Sequence, residues 1–379
     1  MAEATEKIKA NKKKTEYSDK ISNEINSKVA KIVCEGTEIL NQLQELKTIS
    51  LSPVLDEKLG GGLKEGTITV IGGPPKCGKS VTALSFCAEA QQKHGKNIYY
   101  FDVETRLTEK HLKDIKGLDI DNNFKVIGPT EEQQEVTAEM YLRTLERLIR
   151  TVPNLVAVVD STSNMLPEEE MAGEIRSGIR AGLPKLLTQF LKRTSGDIPR
   201  TGAIIIFITH KIANTGARGP MAPKTMMDGG NQLQYQASTI IEIAGKSYWT
   251  QKGADTEEIG LQVYWNVKTS AADGKPGTKC ESWLRWGVGI DRAKEILGMA
   301  SELGIVKAAG SWYTITHAIN KQDDERVQAM IKRAGIDPED DKAVASLFKF
   351  QGAIKVLHWM DENPEMLEIL TEEVEAIPL

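Results

Sequence analysis

One run in the chain has the residue types and spacing to hold phosphate: Gly73-Pro74-Pro75-Lys76-Cys77-Gly78-Lys79-Ser80, which fits GxxxxGK[ST]. It stands between the apolar run Thr67–Ile71 and a helical stretch opening near Val81, the context this motif requires. Glycines let the backbone turn with its N–H groups facing inward, and the start of the helix adds the positive end of its dipole. Lys79 supplies charge to the β- and γ-phosphates and the Ser80 hydroxyl is a Mg²⁺ ligand, so residues 73–81 read as a cradle for ATP and its cation. A second acid for the metal ends the run Leu155–Val159: Asp160 follows a hydrophobic strand, where a carboxylate without a partner would be costly. Glu104 lies in FDVET, three residues beyond Asn97–Phe101. Placed at the carboxyl end of the strand beside the P-loop strand, it is the candidate base that orients and deprotonates water, the plain alternative being a solvated loop glutamate. The next strand ends at Thr209-His210-Lys211, ahead of the Gly/Pro-rich stretch Ile212 to Asp228 and then Gly229-Gly230. His210 at a strand tip, followed by such a stretch, reads as a γ-phosphate sensor attached to a mobile segment.

These residues need a sheet whose strands all end at one edge. Five short β-branched runs, Thr67–Ile71, Asn97–Phe101, Leu155–Val159, Ala203–Thr209 and Thr239–Ile243, are apolar on both alternating faces, as strands of a helix-covered parallel sheet are. Helical stretches at Val81–Gln92 and Ala138–Arg150 separate them, so the fold class is α/β with a doubly wound, mostly parallel sheet. Before the sheet, residues 1–35 are polar and Lys-rich and cannot bury a core of their own. Tyr17, Ile21, Ile25 and Val29 recur every four residues there and form one helical stripe, suited to a partner's surface or to the chain's own domain. After Trp286 the strand signals fade, and Asp291–Leu303 and Ala343–Met360 read as amphipathic helices of a small C-terminal domain. From Asp361 onward the chain holds seven carboxylates and no Lys or Arg.

At 379 residues the chain has room for two or three domains, taken here as 1–35, 36–288 and 289–379. Forty per cent hydrophobic and 27% charged residues exclude collagen-like, disulfide-scaffold and wholly disordered classes. The longest apolar run, Ala203–Ile208, is far too short to span a bilayer, and charges rather than a signal-peptide core follow Met1, so a cytosolic protein is expected. Cys34, Cys77, Cys87 and Cys280 are scattered, without a CxxC pair, and read as reduced thiols. A net charge of −5 excludes a uniformly positive nucleic-acid coat and leaves room for a local basic groove.

The order of pieces, GPPKCGKS, FDVET, VVDS, FITHK, GGNQLQYQAS, GVGID and AAGSWYT, resembles the RecA-type homologous recombinases of bacterial RecA and phage UvsX-like type, over roughly residues 40 to 375. LGIVKAAGSWYTI and FQGAIKVLHWMDENPE are similar to that family's small α+β C-terminal domain, which hexameric helicases of the same core lack. The resemblance implies a DNA-dependent ATPase that forms a filament on single-stranded DNA, pairs it with homologous duplex and exchanges strands, in the cytosol of a bacterium or of a phage-infected host. The rival readings are a ring-forming helicase or repair ATPase on the same core, and an ATP-switched assembly module. By the resemblance, Lys79 and Ser80 hold phosphate and Mg²⁺, Asp160 the metal, Glu104 activates water, His210 senses the γ-phosphate and His111 stacks on adenine. The stretch 172–178, with Arg176, matches the first DNA-binding loop, and Lys211 to Asp228, with Arg218 and Lys224 and closing on Gly229-Gly230, the second. Lys185 and Lys192 stand where the family places arginines on DNA phosphates, and Lys268 alone stands where it presents a pair of lysines to the neighbour's ATP. Self-assembly follows from the resemblance, with single-strand-binding and loader proteins as further partners. The segment from Lys321 to Ala345 has no counterpart in the family's short hairpin and reads as a solvated helical insert.

Overall fold

The computed structural model describes residues 20–24, 27, 37–38, 46–172, 182–213, 225–228, 230–251, 257–272 and 274–377. The chain divides into two units, Met1–Lys47 and Thr48–Leu379. In the first, residues 20–24 are helical and Ile21 is exposed; Tyr17, Ile25 and Val29 of the expected stripe lie outside the described residues.

The second unit opens with two short antiparallel strands, β1 (Thr48–Ile49) and β2 (Leu63–Lys64), flanking the helix Pro53–Leu59. Its main sheet contains β3 (Ile68–Gly73), β4 (Asn97–Asp102), β5 (Phe124–Ile127), β6 (Leu155–Asp160), β7 (Ile204–Ala213), β8 (Thr225–Met227), β9 (Thr239–Gln251), β10 (Glu257–Thr269), β11 (Lys279–Arg285) and β12 (Gly289–Ile290). The order is β12-β11-β10-β9-β3-β7-β6-β4-β5, with β8 paired to β7. From β9 to β5 every pairing is parallel, while β10, β11 and β12 extend the sheet antiparallel.

Period-two alternation explains why the five central runs look apolar throughout. Ile204, Ile206 and Ile208 of β7 join Val156 and Val158 of β6 in a core under the helix Lys79–His94, with Leu84, Phe86 and Cys87. Ile205 and Phe207 face the other way with Ala157 and Val159, against Tyr141 and Leu145 of the helix Ala138–Thr151 and Phe190 of the helix Gly182–Thr194. Helices cover both faces, as a doubly wound sheet demands. The order corrects one expectation: β4, which leads to Glu104, is not beside the P-loop strand β3, because β7 and β6 stand between them.

A third core cluster gathers residues 293–374 around the helix Arg292–Glu302 and a sheet of β13 (Val306–Ala309), β14 (Trp312–Ile315) and β15 (Lys349–Gln351). The single helix expected over Ala343–Met360 is two, Asp341–Leu347 and Ala353–Glu362, because β15 and Gly352, at φ +91°, interrupt it. Nor is the 321–345 segment merely solvated: Val327, Met330 and Ile331 of the helix Glu325–Arg333 are buried in this core. Among the described residues, four of the seven carboxylates of the acidic end are ion-paired within the chain. Arg326 pairs with Glu372, Arg333 with Glu365, Lys321 with Glu373, and Lys116 and Arg285 both reach Asp361.

Glu295 anchors this region to the sheet. Its carboxyl accepts from Ser52 Oγ (2.6 Å), from Val54 N (3.2 Å) and from Ser282 Oγ. Burial raises its pKa from the ordinary 4.5 to about 7, against the opposing pull of those hydrogen bonds and of Arg292. A carboxyl whose folded pKa is raised contributes stability that is complete below its unfolded pKa and is lost as pH rises through the folded one. The window is therefore about pH 4.5 to 7. The variant Glu295→Gln keeps the acceptor and cannot ionise, so its Tm relative to wild type should climb between pH 5 and pH 8. A Tm difference independent of pH, followed by circular dichroism, would contradict this assignment.

Candidate functional site

The site forms where the parallel strands end, the crevice in which open α/β sheets take their ligands. Strand β3 stops at Gly73 and the helix Lys79–His94 begins six residues later, with Gly78 as its N-cap at φ +99°, a left-handed conformation. The backbone angle is what calls for glycine here; a Cβ would also stand 2.2 Å from Leu284 Cδ1, a side-chain end on β11 that would have to shift. Cys77 Sγ donates to Pro74 O at 2.9 Å and pins the turn, while Pro75 and Lys76 are exposed.

Lys79 is buried, at 5% exposure, and its Nζ donates to Gly73 O (3.2 Å) and Pro74 O (2.7 Å). Burial lowers its pKa, an effect opposed by the nearby carboxylates of Asp160 and Glu104. An ammonium held on two carbonyls in such a place suits an incoming phosphate, whose oxygens bring the negative charge that the loop lacks. Ser80 Oγ donates to Asp160 Oδ2 at 2.5 Å, and Tyr100 donates its hydroxyl to the same oxygen at 2.6 Å. Burial raises the Asp160 pKa even though both hydrogen bonds favour the carboxylate. Among the described residues no cluster of three His, Cys, Asp or Glu side chains forms a metal cage. Ser80 and Asp160 are instead the hydroxyl-plus-carboxylate pair that Mg²⁺ takes when phosphates complete its shell, and the donor set fits that ion.

Glu104 reaches the site although its strand is two places further along the sheet from β7, beyond β6. The turn after β4 hooks over the end of β6, with Val103 N (2.9 Å) and Glu104 N (3.3 Å) both on Asp160 O. Asp102 fixes that turn by accepting from Arg106 N (3.1 Å) and Leu107 N (3.0 Å). Glu104 Oε1 then accepts from Ser161 Oγ at 2.6 Å and from His210 Nε2 at 2.7 Å, and Oε2 lies 2.9 Å from Arg106 Nη1. Burial pushes its pKa up, but the hydrogen bonds from Ser161 and His210 and the charge of Arg106 outweigh it and hold the carboxyl below its ordinary value. His210 lies opposite Gly73 in the β3–β7 register, and its Nδ1 is buried without a hydrogen-bond partner. It is not the strand's last residue: β7 runs on to Ala213 and pairs antiparallel with β8, Lys211 opposite Met227. Lys211 makes a close ion pair with Glu242 on β9, and Lys268 Nζ lies 3.5 Å from the same carboxylate.

The remaining expected residues distribute as follows. His111 is exposed on the short helix Glu109–Lys113. Lys116 N, just beyond, donates to Val288 O (3.0 Å) and ties that segment to the β11–β12 turn, where Trp286 is 51% exposed. Trp286 was missed by sequence reasoning; an aromatic beside the Gly287-Val288-Gly289 turn was the available signal. Val81 sits in the first turn of the P-loop helix. Lys185 and Lys192 are exposed, seven residues and so about two turns apart on the helix Gly182–Thr194. Arg176, Arg218, Lys224 and Gly229 lie outside the described residues, as do 173–178 of the first expected DNA loop and 214–224 of the second, and Gly230 opens the helix Gly230–Gln236.

Comparison with known proteins gives this geometry a context. Residues 4–290 match the model of the RecA N-terminal domain. The chain is 27% identical over 361 residues to Protein RecA of Arthrospira platensis, covering 93% of this chain and 95% of that protein. It is 31% identical over 278 residues to Protein RecA of Gloeobacter violaceus (73% and 71%) and 30% over 335 residues to that of Bacteroides thetaiotaomicron (87% and 93%).

The Gly78 geometry is directly testable. Gly78→Ala places a Cβ into Leu284 at a left-handed φ and should cost on the order of 1–3 kcal/mol, with nucleotide binding lost. Wild-type Tm and nucleotide affinity in that variant would show the cradle to be less constrained.

Proposed function

We propose, on the premise that this chain belongs to the RecA family and is a RecA-type recombinase, that it is a DNA-dependent ATPase whose nucleotide site and DNA loops are coupled through Glu104 and His210. The observation that carries the reading is the 2.7 Å hydrogen bond between His210 Nε2 and Glu104 Oε1 at the carboxyl edge of the sheet.

Residues 73–81 hold the triphosphate, with Lys79 Nζ exchanging the Gly73 and Pro74 carbonyls for phosphate oxygens. Ser80 and Asp160 would hold Mg²⁺, whose charge, when bound, would stabilise the phosphates. His111 and Trp286, on two segments joined by the Lys116–Val288 hydrogen bond, offer flat surfaces for the base.

Glu104 is the base. Its carboxyl is held ionised, so Oε1 is ready to accept a proton from water once an N–H donor leaves it. His210 Nε2 can donate to Glu104 or to a γ-phosphate oxygen, one at a time. Recruitment of the imidazole by the phosphate therefore frees the base and sets the strand that continues into the loop 211–228. Linkage makes the effect reciprocal: DNA that orders the loop favours the same His210 position and so speeds turnover.

Lys185 and Lys192, with Arg176, Arg218, Lys224 and the Gly229-Gly230 segment, line the DNA path in this reading. Contacts of this type go to phosphates, so binding is indifferent to sequence and weakens steeply with salt. Lys268 faces the neighbouring protomer's ATP, residues 1–35 form the arm that joins protomers, 36–288 the ATPase core and 289–379 the C-terminal domain. The partners are single-stranded DNA, homologous duplex and further copies of the chain, together with single-strand-binding and loader proteins, in the cytosol of a bacterium or of a phage-infected host. Among the described residues no helix is long and apolar enough to cross a membrane.

The test is ATP turnover with and without single-stranded DNA, alongside electron microscopy of the same mixture. Stimulated turnover on helical filaments is expected; closed rings, or turnover indifferent to DNA, would overturn the reading. Glu104→Gln should keep ATP affinity within a few-fold and lower DNA-stimulated turnover by roughly 10²–10⁴. Turnover within tenfold of wild type would remove Glu104 from the role of base.

A further inference from the structure

Tyr100 stands on the face of β4 that packs beneath the helix Lys79–His94, at 1% exposure and opposite Val158 of β6 and Val126 of β5. Its ring stacks on Phe124, with centroids 6.5 Å apart and an interplanar angle of 26°. At this depth an unpartnered hydroxyl is a cost, and a phenylalanine would fill the same space without it. The hydroxyl is not idle, because it donates to Asp160 Oδ2 at 2.6 Å.

That oxygen has a second donor, Ser80 Oγ at 2.5 Å, and the two differ in what else they must do. Ser80 is the second residue of the P-loop helix, and its hydroxyl also serves the cation. Tyr100 has no such second duty. Its backbone is registered between two parallel neighbours and its ring is closed in by the core, so its hydroxyl cannot follow Ser80 or the ligand.

We propose that Tyr100 is a positioning residue of the nucleotide site, a rigid hydrogen-bond donor that fixes the Asp160 carboxylate for the divalent cation. The inference rests on the reading of Ser80 and Asp160 as the cation's protein partners, and its test separates the two.

The full chain is titrated with Mn²⁺ in place of Mg²⁺ in the presence of a non-hydrolysable ATP analogue, with bound Mn²⁺ read by electron paramagnetic resonance. Tyr100→Phe keeps the ring and removes the donor. Its Mn²⁺ Kd should rise about tenfold, the loss of one hydrogen bond to a charged group, while Tm stays within a few degrees of wild type and affinity for the analogue without cation is unchanged. The same substitution in an Asp160→Asn background should add nothing, since Tyr100 acts through that carboxylate. Wild-type Mn²⁺ affinity in Tyr100→Phe, together with loss of binding in Asp160→Asn, would overturn the role of Tyr100 and leave the cation site standing. Wild-type affinity in Asp160→Asn would overturn the site itself. A large fall in Tm with parallel loss of cation-free analogue binding would assign Tyr100 to the core alone and overturn the proposal.

Discussion

One imidazole N–H cannot serve a carboxylate and a phosphate oxygen at once, and in the proposed mechanism the contact between His210 Nε2 and Glu104 Oε1 would turn that limit into a coupling. On that proposal, Glu104 as base would be restrained by His210 as sensor until the imidazole finds a better partner. Glu104 has two other supports, Ser161 Oγ and Arg106, which would keep its charge stabilised if His210 left. The His210 ring is likewise restrained on only one nitrogen, while its backbone N–H donates to Ser163 Oγ at 3.1 Å and keeps the strand in place.

The sheet makes this arrangement possible from residues far apart in sequence. Parallel strands deliver Gly73, Asp160 and His210 to one edge, and the turn after β4 folds back across β6 to add Glu104 from further along the sheet. Burial sharpens each partner's role. Lys79 is placed on carbonyls rather than on a carboxylate, and Asp160 receives two hydroxyl donors on one oxygen. The same edge extends to Glu242, whose carboxylate is shared by Lys211 at the base of the loop strand and Lys268 on β10.

Much of this was legible in the sequence because the signals were local. The P-loop motif is contiguous, and the five central strands announce themselves by runs that are apolar on both faces. Strand order is not local, so the expectation that β4 lies beside β3 failed while Glu104 itself was correctly brought to the edge. Strand β10, GLQVYWNV, alternates apolar with polar residues as a one-sided antiparallel strand does, and a search for continuous apolar runs passes over it. The helix expected over Ala343–Met360 ignored Gly352, whose positive φ lets β15 turn into the next helix. The C-terminal end showed only as seven carboxylates without a Lys or Arg; its ion pairs with Arg326, Arg333 and Lys321 depend on tertiary neighbours that no sequence window contains. Tyr100 was invisible for the same reason, since a tyrosine within an apolar strand reads as core until its hydroxyl is seen on Asp160.

The most direct measurement of the coupling is amide hydrogen exchange across residues 209–228, with and without a non-hydrolysable ATP analogue and no DNA present. If the terminal phosphate draws His210 away from Glu104 and sets the strand behind it, the analogue should slow exchange through this segment in the wild-type chain and leave it unaltered in His210→Ala. Equal exchange with and without the analogue in the wild-type chain would show that the nucleotide pocket and the loop do not communicate through this pair.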